Sequence, residues 1–348
     1  MERKENYLRA VRFERPDYIP IVFCINDACW QAYPQEFLVE MQLTHPLLFP
    51  GYVPPDLPFT PQFARVARKD HPYTDSFGCR WETTTDGITG TVVGHPLADW
   101  NDFPAYRFPD PAICDGLEPI DWAAIRQQIA ATPEDLHMAG LRHGHTFLQL
   151  CDIRGYENLI LDMMDNEPRL WKLIEGLEAF NREIVRRWLD CGVDVMSYAE
   201  DLGMQIGPML TPEHFQTYIK PSYQRLIALA KEKGVPVHMH SDGDIRTLAD
   251  DLLDGGVEIL NLQDLVNGID WIKDHLTGHV CIDLDVDRQR ITRFGTPEDI
   301  HALIREEVTK LGSPQGGLTM IYGLYPGIPL ENVKALMDAF EAYMGYYD

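Results

Sequence analysis

Two histidines and two aspartates crowd into the stretch GVPVHMHSDGDI, residues 234–245. A strand alternates its faces with period two, so Val235, Val237 and Met239 fall on one side and His238 and His240 on the other. The strand is expected to end near Ser241, because Asp242 and Gly243 form turns and Asp244 can cap a helix beginning at Ile245. Imidazoles and a carboxylate converging at one strand end suit zinc, manganese or iron, which makes His240, Asp242 and His238 the candidate metal ligands. The alternative is structural: aspartates that shape the turn and cap the helix, with the histidines hydrogen-bonded in a pocket wall.

The elements that would hold such a site emerge from about residue 121, where strand-like and helical patterns alternate. Strand candidates are HTFLQL (145–150), VDVMSYA (193–199), VPVHMH (235–240), VEILNLQ (257–263), HVCIDLD (279–285) and GLTMIYG (317–323). Helical runs separate them, opening on capping signals such as Thr211-Pro212-Glu213 and Thr296-Pro297-Glu298 and several ending at glycine. With one more strand at 19–23 and one unassigned, eight units make a (β/α)8 TIM barrel, an α/β fold expected to span 1–348 as one domain. In such a barrel the chemistry sits where strands end. There the sequence offers Glu200 and Asp201, His238, His240 and Asp242, Gln263 and Asp264, Asp283 and Asp285, then Tyr322 and Tyr325. This ring of carboxylates, imidazoles and phenols has scarcely any lysine or arginine, which favours a cation or a neutral polar ligand over a polyanion.

Residues 45–115 read differently. Prolines cluster in HPLLFPGYVPPDLPFTPQF, and Thr, Val, Trp and Phe between glycines over 73–97 give a hairpin signature. The segment is expected to be an irregular, hairpin-containing cover over the carboxyl ends of the barrel strands. His143 and His145, flanking Gly144, read as surface or pocket-rim residues rather than ligands, and Asp283 as a group able to exchange a proton beside a ligand.

Composition excludes other classes. The formal charge of −24 repels phosphate backbones, and no basic run offsets it, so nucleic acid is not an expected partner. Apolar runs stop short of a membrane span, and the charged amphipathic start MERKENYLRAVRFERPD is no secretory signal, which leads to a cytoplasmic expectation. Seven cysteines without CxxC spacing fit reduced thiols.

Three segments, SYAEDLGMQIGPMLTPEHFQTYIKPSYQRLI, GVPVHMHSDGDIRTLADDLLDGGVEILNLQ and IYGLYPGIPLENVKALMDAF, with IRGYENLILDM at 153–163, resemble the uroporphyrinogen decarboxylase superfamily. The resemblance covers roughly 150–345 and implies a (β/α)8 barrel that is often dimeric. It also implies one of two activities: porphyrinogen decarboxylation, or zinc-dependent methyl transfer with a corrinoid (cobalamin) protein. It makes Asp201 and Gln205 pocket residues. In the methyltransferases a His-x-Cys pair and a late Cys hold the metal. Here His240 is kept, but Asp242 and Tyr322 stand where the thiolates would be, giving a harder site. An octacarboxylate substrate calls for arginine, yet after FERPDYIPIVF the chain reads CINDACWQ. The expected function is therefore methyl transfer with a corrinoid protein or a methylated or methoxylated small molecule. A divalent metal, zinc first, would be held by His240, Asp242 and His238. Asp201, Asp283 and Tyr322 would be catalytic, with Gln205, Glu200, Gln263 and Tyr325 binding substrate. The alternatives are decarboxylation and a non-catalytic ligand-binding barrel.

Overall fold

Short runs of valine, isoleucine and leucine bounded by glycine or aspartate form the strands of the computed structural model, which describes residues 3–346. In chain order the parallel strands are β1 (Ile21–Ile25), β2 (Met138–Leu141), β3 (Val195–Ala199), β4 (Val237–Ser241), β5 (Ile259–Gln263), β6 (Cys281–Asp285) and β7 (Leu318–Leu324). The chain groups into two compact units. One comprises residues up to His71, Glu82–Gly90 and from Gln263 onward; the other comprises Pro72–Trp81 and Thr91–Leu262.

In the first unit β7 lies between β1 and β6, with Phe23 opposite Tyr322 and Asp283 opposite Thr319. In the second the order is β2-β3-β4-β5, and His240 lies level with Ala199 on one side and Asn261 on the other. Purely parallel strands need long crossovers, and amphipathic helices supply them. Helix Pro168–Cys191 starts at Glu167, whose side chain accepts the Arg169 N–H, and stops at Gly192 in the left-handed region. Helix Pro297–Leu311 opens with the capping box that its Thr296 signal implies, closed by Asp299.

One strand differs from the sequence expectation. Residues 145–150 are not extended; helix Phe147–Arg154 occupies that stretch, and the strand is β2, earlier in the chain and hidden in HMAGL. The cause is remote. Both carboxylate oxygens of Glu200 accept the N–H groups of Thr146, Phe147 and Leu148 at 2.9–3.1 Å, so a residue 53 positions beyond Phe147 caps this helix. Asp244 accepts the Arg246 N–H and pairs with its guanidinium, but the helix proper begins later, at Ala249–Asp254. The hairpin expected over 73–97 is present, Tyr73–Thr74 pairing antiparallel with Arg80–Glu82. All seven cysteines are free thiols. Among the described residues no helix is long and apolar enough to cross a membrane.

The first unit also buries an acid pair. Asp264 and Glu307 are each almost fully enclosed, and among the described residues no N–H donor reaches the Glu307 carboxyl, which faces that of Asp264. Burial raises both above the usual range, Asp264 to about 6, with the negative charge of Asp264 adding to the rise at Glu307. A carboxyl raised in the folded state stabilises the fold below its unfolded value near pH 4, and that stabilisation is lost as pH rises through 6 and beyond. Glu307→Gln keeps the shape and donates an amide N–H to Asp264. It should raise stability at pH 8 by on the order of 1–3 kcal/mol, with a smaller gain at pH 5, read as denaturant midpoints. A loss of stability at pH 8 would contradict the shared-proton arrangement.

Candidate active site

Four adjacent strand ends of the second unit converge on His240. Its neighbour on β3 is Ala199, small enough to leave the imidazole room, and its neighbour on β5 is Asn261. The His240 Nδ1–H donates to the side-chain oxygen Oδ1 of Asn261 in a short hydrogen bond, which turns Nε2 outward. That nitrogen lies 3.4 Å from Asp201 Oδ1 and 3.8 Å from Asp242 Oδ1. The other Asp201 oxygen lies 3.3 Å from His143 Nε2, so one carboxylate bridges two imidazoles. The rings are 5.6 Å apart, centroid to centroid.

Backbone contacts preset this geometry. The Asp242 N–H donates to Asp201 Oδ1 at 3.0 Å, the Gly203 N–H to the Asp242 carbonyl at 3.2 Å, and the Asp244 N–H to the Met204 carbonyl at 2.7 Å. The loops following β3 and β4 can zip together this closely only because glycines meet. A Cβ on Gly243, at φ +82°, would lie 2.1 Å from the Gly203 carbonyl carbon.

The charges follow from burial and proximity. Burial would push the Asp201 carboxyl up, but the hydrogen bonds and charges of His143 and His240 win and hold it well below the usual carboxylate range. For His240 burial favours the neutral ring; the two aspartates and Asn261 outweigh it and raise the imidazole to about 9. The result is a proton donor between two anions, or, when that proton is displaced, an Nε2 lone pair aimed at a cation. His143, Asp201 and His240 place one ligand atom each within 4.8 Å of one another. Two imidazole nitrogens and carboxylate oxygens fit a zinc, manganese or iron ion, and the Asn261 contact is the kind of outer support that metal-binding histidines carry.

Among the expected residues, Asp201, His240 and Asp242 are brought together. His238, two positions earlier on β4, is buried with Nδ1 3.4 Å from Ser197 Oγ, outside the converging atoms. Gln205 sits exposed at the tip of the ribbon formed by Gly203–Met204 and Gly207–Pro208. Glu200, expected to bind substrate, is fully buried, and besides capping the helix it accepts the Tyr223 hydroxyl at 2.6 Å. Adjacent residues at a strand end point apart, so Glu200 serves the helix layer and Asp201 the site.

In the first unit Tyr322, expected to be catalytic, lies in the buried layer. Its ring is fully buried 5.3 Å from Phe23 and its hydroxyl donates to Thr292 Oγ1, because the even-numbered residues of β7 face the helices. Asp283 is buried and accepts the Thr319 hydroxyl at 2.7 Å. Gln263 ends β5, where its carbonyl accepts the Asn267 side chain, and Tyr325 is exposed under the Arg288 guanidinium.

Two site residues escaped the sequence reading. Asn261 shares a strand face with Gln263, and its register beside His240 was its only available signal. His143, read as a rim residue, contributes directly. Its neighbour His145 goes the other way, buried against Tyr198 and Tyr223 and driven down to about 3 by desolvation.

Parallel strands with helical crossovers and a polar cluster at the carboxyl ends define an α/β enzyme class of TIM-barrel type. A methyltransferase from Methanosarcina mazei shares the fold, with a TM-score of 0.65 over 99% of both chains at 17% identity. Residues 74–343 match the uroporphyrinogen decarboxylase (URO-D) family model, and the chain belongs to that family. Its curated relatives include the uroporphyrinogen decarboxylase of Synechococcus sp. (strain CC9605), 26% identical over 53% of this chain and 51% of the relative. A Thermus thermophilus enzyme of the same name is 25% identical over 51% and 50%. The match thus spans about half the length of these curated relatives.

Proposed function

We propose that this URO-D family member is a metal-assisted methyltransferase. Its methyl group would pass to or from a corrinoid protein, or a methylated or methoxylated small molecule. The observation that carries this reading is the convergence of His143, Asp201 and His240 with Asp242 beside them. A divalent ion held by these residues would supply a Lewis acid that lowers the pKa of an acceptor hydroxyl, amine or water. Asn261 fixes the His240 ring, Asp201 bridges both imidazoles, and half-exposed His143 and Asp242 face incoming ligand. The absence of thiolate ligands in this set favours oxygen or nitrogen acceptors over thiols.

Carboxy-lyase activity is the second reading, supported by the names of the curated relatives and by the protonated His240, a suitable proton donor to a carbanion. Elemental analysis of protein purified without chelator separates the two. About one equivalent of zinc, manganese or iron, taken up again after chelation, supports methyl transfer. A metal-free protein that takes up none refutes it, and turnover of a porphyrinogen would then establish the carboxy-lyase.

A further inference from the structure

His143 poses a physical problem. Its side chain is half exposed, so packing does not hold the ring against Asp201, yet the two meet at 3.3 Å. The placement must come from the backbone, which is pinned on both sides. After it, the Gly144 N–H donates to the Ala199 carbonyl at 2.9 Å, the glycine adopting φ +74° to do so. Before it stands Arg142, whose Nε–H donates back to the His143 carbonyl at 3.2 Å.

Arg142 is itself clamped. Its side chain is 7% exposed, and Nη2 donates to Asp152 Oδ2 at 3.3 Å. Nη1 lies 3.8 Å from Asp75 Oδ2, beyond hydrogen-bond reach, and is buried without a hydrogen-bond partner. The guanidinium lies over the Trp81 indole at 5.7 Å. Asp75 in turn is rigid: it accepts the N–H groups of Phe77 and Cys79 at 2.9 Å and the Trp81 indole N–H at 2.8 Å. A buried guanidinium with one nitrogen left unsatisfied is costly where stability is the only return.

We propose that Arg142, clamped between Asp75 and Asp152, is the positioning residue that holds His143 on the metal-binding cluster. The inference rests on the metal reading above and assigns to the hairpin around Asp75 a part in building the site. A planar fork can reach the His143 carbonyl and Asp152 together, which a lysine ammonium cannot do in the same geometry.

A double-mutant cycle on zinc affinity tests it, using calorimetry on the 348-residue chain with Arg142→Lys, His143→Ala and both together. Arg142→Lys should weaken zinc binding about 10-fold, the effect typical of groups that orient a ligand. In the His143→Ala background it should change nothing further. An equal loss in both backgrounds would show a merely structural role and overturn the proposal, as would no loss in the single variant. Should Arg142→Lys fail to fold, Asp152→Asn, which removes one side of the clamp, takes its place in the cycle. A parent that binds no zinc sinks the metal reading instead. Positioning is then read from the His143 ring signal in proton NMR, expected to be displaced in the parent and to shift to the free-histidine position in Arg142→Lys. An unchanged signal overturns the proposal.

Discussion

Replacing His240 with alanine should remove metal affinity by more than about 100-fold and turnover by about 10²–10⁴-fold, with the fold intact. His240 touches Asp201, Asp242 and Asn261 at once. Truncating it takes away the imidazole that faces both the Asp201 and the Asp242 carboxyl groups, and with it the contact to Asn261. Calorimetric titration with zinc and with manganese reads the loss, and circular dichroism checks the fold. A variant that kept the parent's affinity for both ions would move the metal away from this cluster and end the assignment.

The second large effect is expected from Gly243→Ala, a change that touches no chemical group. The added methyl would meet the Gly203 backbone at 2.1–2.6 Å, and the position demands a positive φ. Neither neighbour is a flexible side chain that can swing away, so the loops after β3 and β4 must part. Parting them breaks the Gly203–Asp242 and Asp244–Met204 backbone bonds and displaces Asp201 from Asp242. A cost on the order of 3 kcal/mol is expected, well above the usual glycine-to-alanine penalty at positive φ. Metal affinity should fall along with it. Denaturant titration and calorimetry on the same sample measure both; a variant within about 1 kcal/mol of the parent would show that the loops yield more easily than their packing indicates.

The regular part of the molecule was legible because parallel strands are continuous apolar runs and their helices carry caps. The run VPVHMH needs nothing beyond period two to set His238 and His240 on one face, and Asp242 follows from the turn. What sequence could not show is which of two same-face residues reaches the site: His238 stops at Ser197, whereas His240 meets its partners one layer above. Long-range satisfaction was invisible for the same reason. The helix at Phe147 is nucleated by Glu200, so its own residues, HTFLQL, gave a strand pattern. Tyr322 stands where the resemblance puts a late metal-binding cysteine, and the alternation of β7 turns its ring into the buried layer against Phe23. Asn261 and His143 became visible only when register and loop closure brought neighbouring strand ends together.

The ribbon between Gly203 and Pro208, which begins just after the carboxylate that bridges the imidazoles, carries Ile206 at 93% exposure and Met204 at 44%. Loop tips that bear little of the packing tolerate changes of sequence and length. Chemistry and its accessory surface are thus separable along a few residues of chain: Asp201 is locked to the β4 loop, while the tip is free to vary. Substitutions of the exposed side chains of Met204, Gln205 and Ile206 are therefore expected to leave the contacts of Asp201 with His143 and His240 as they are.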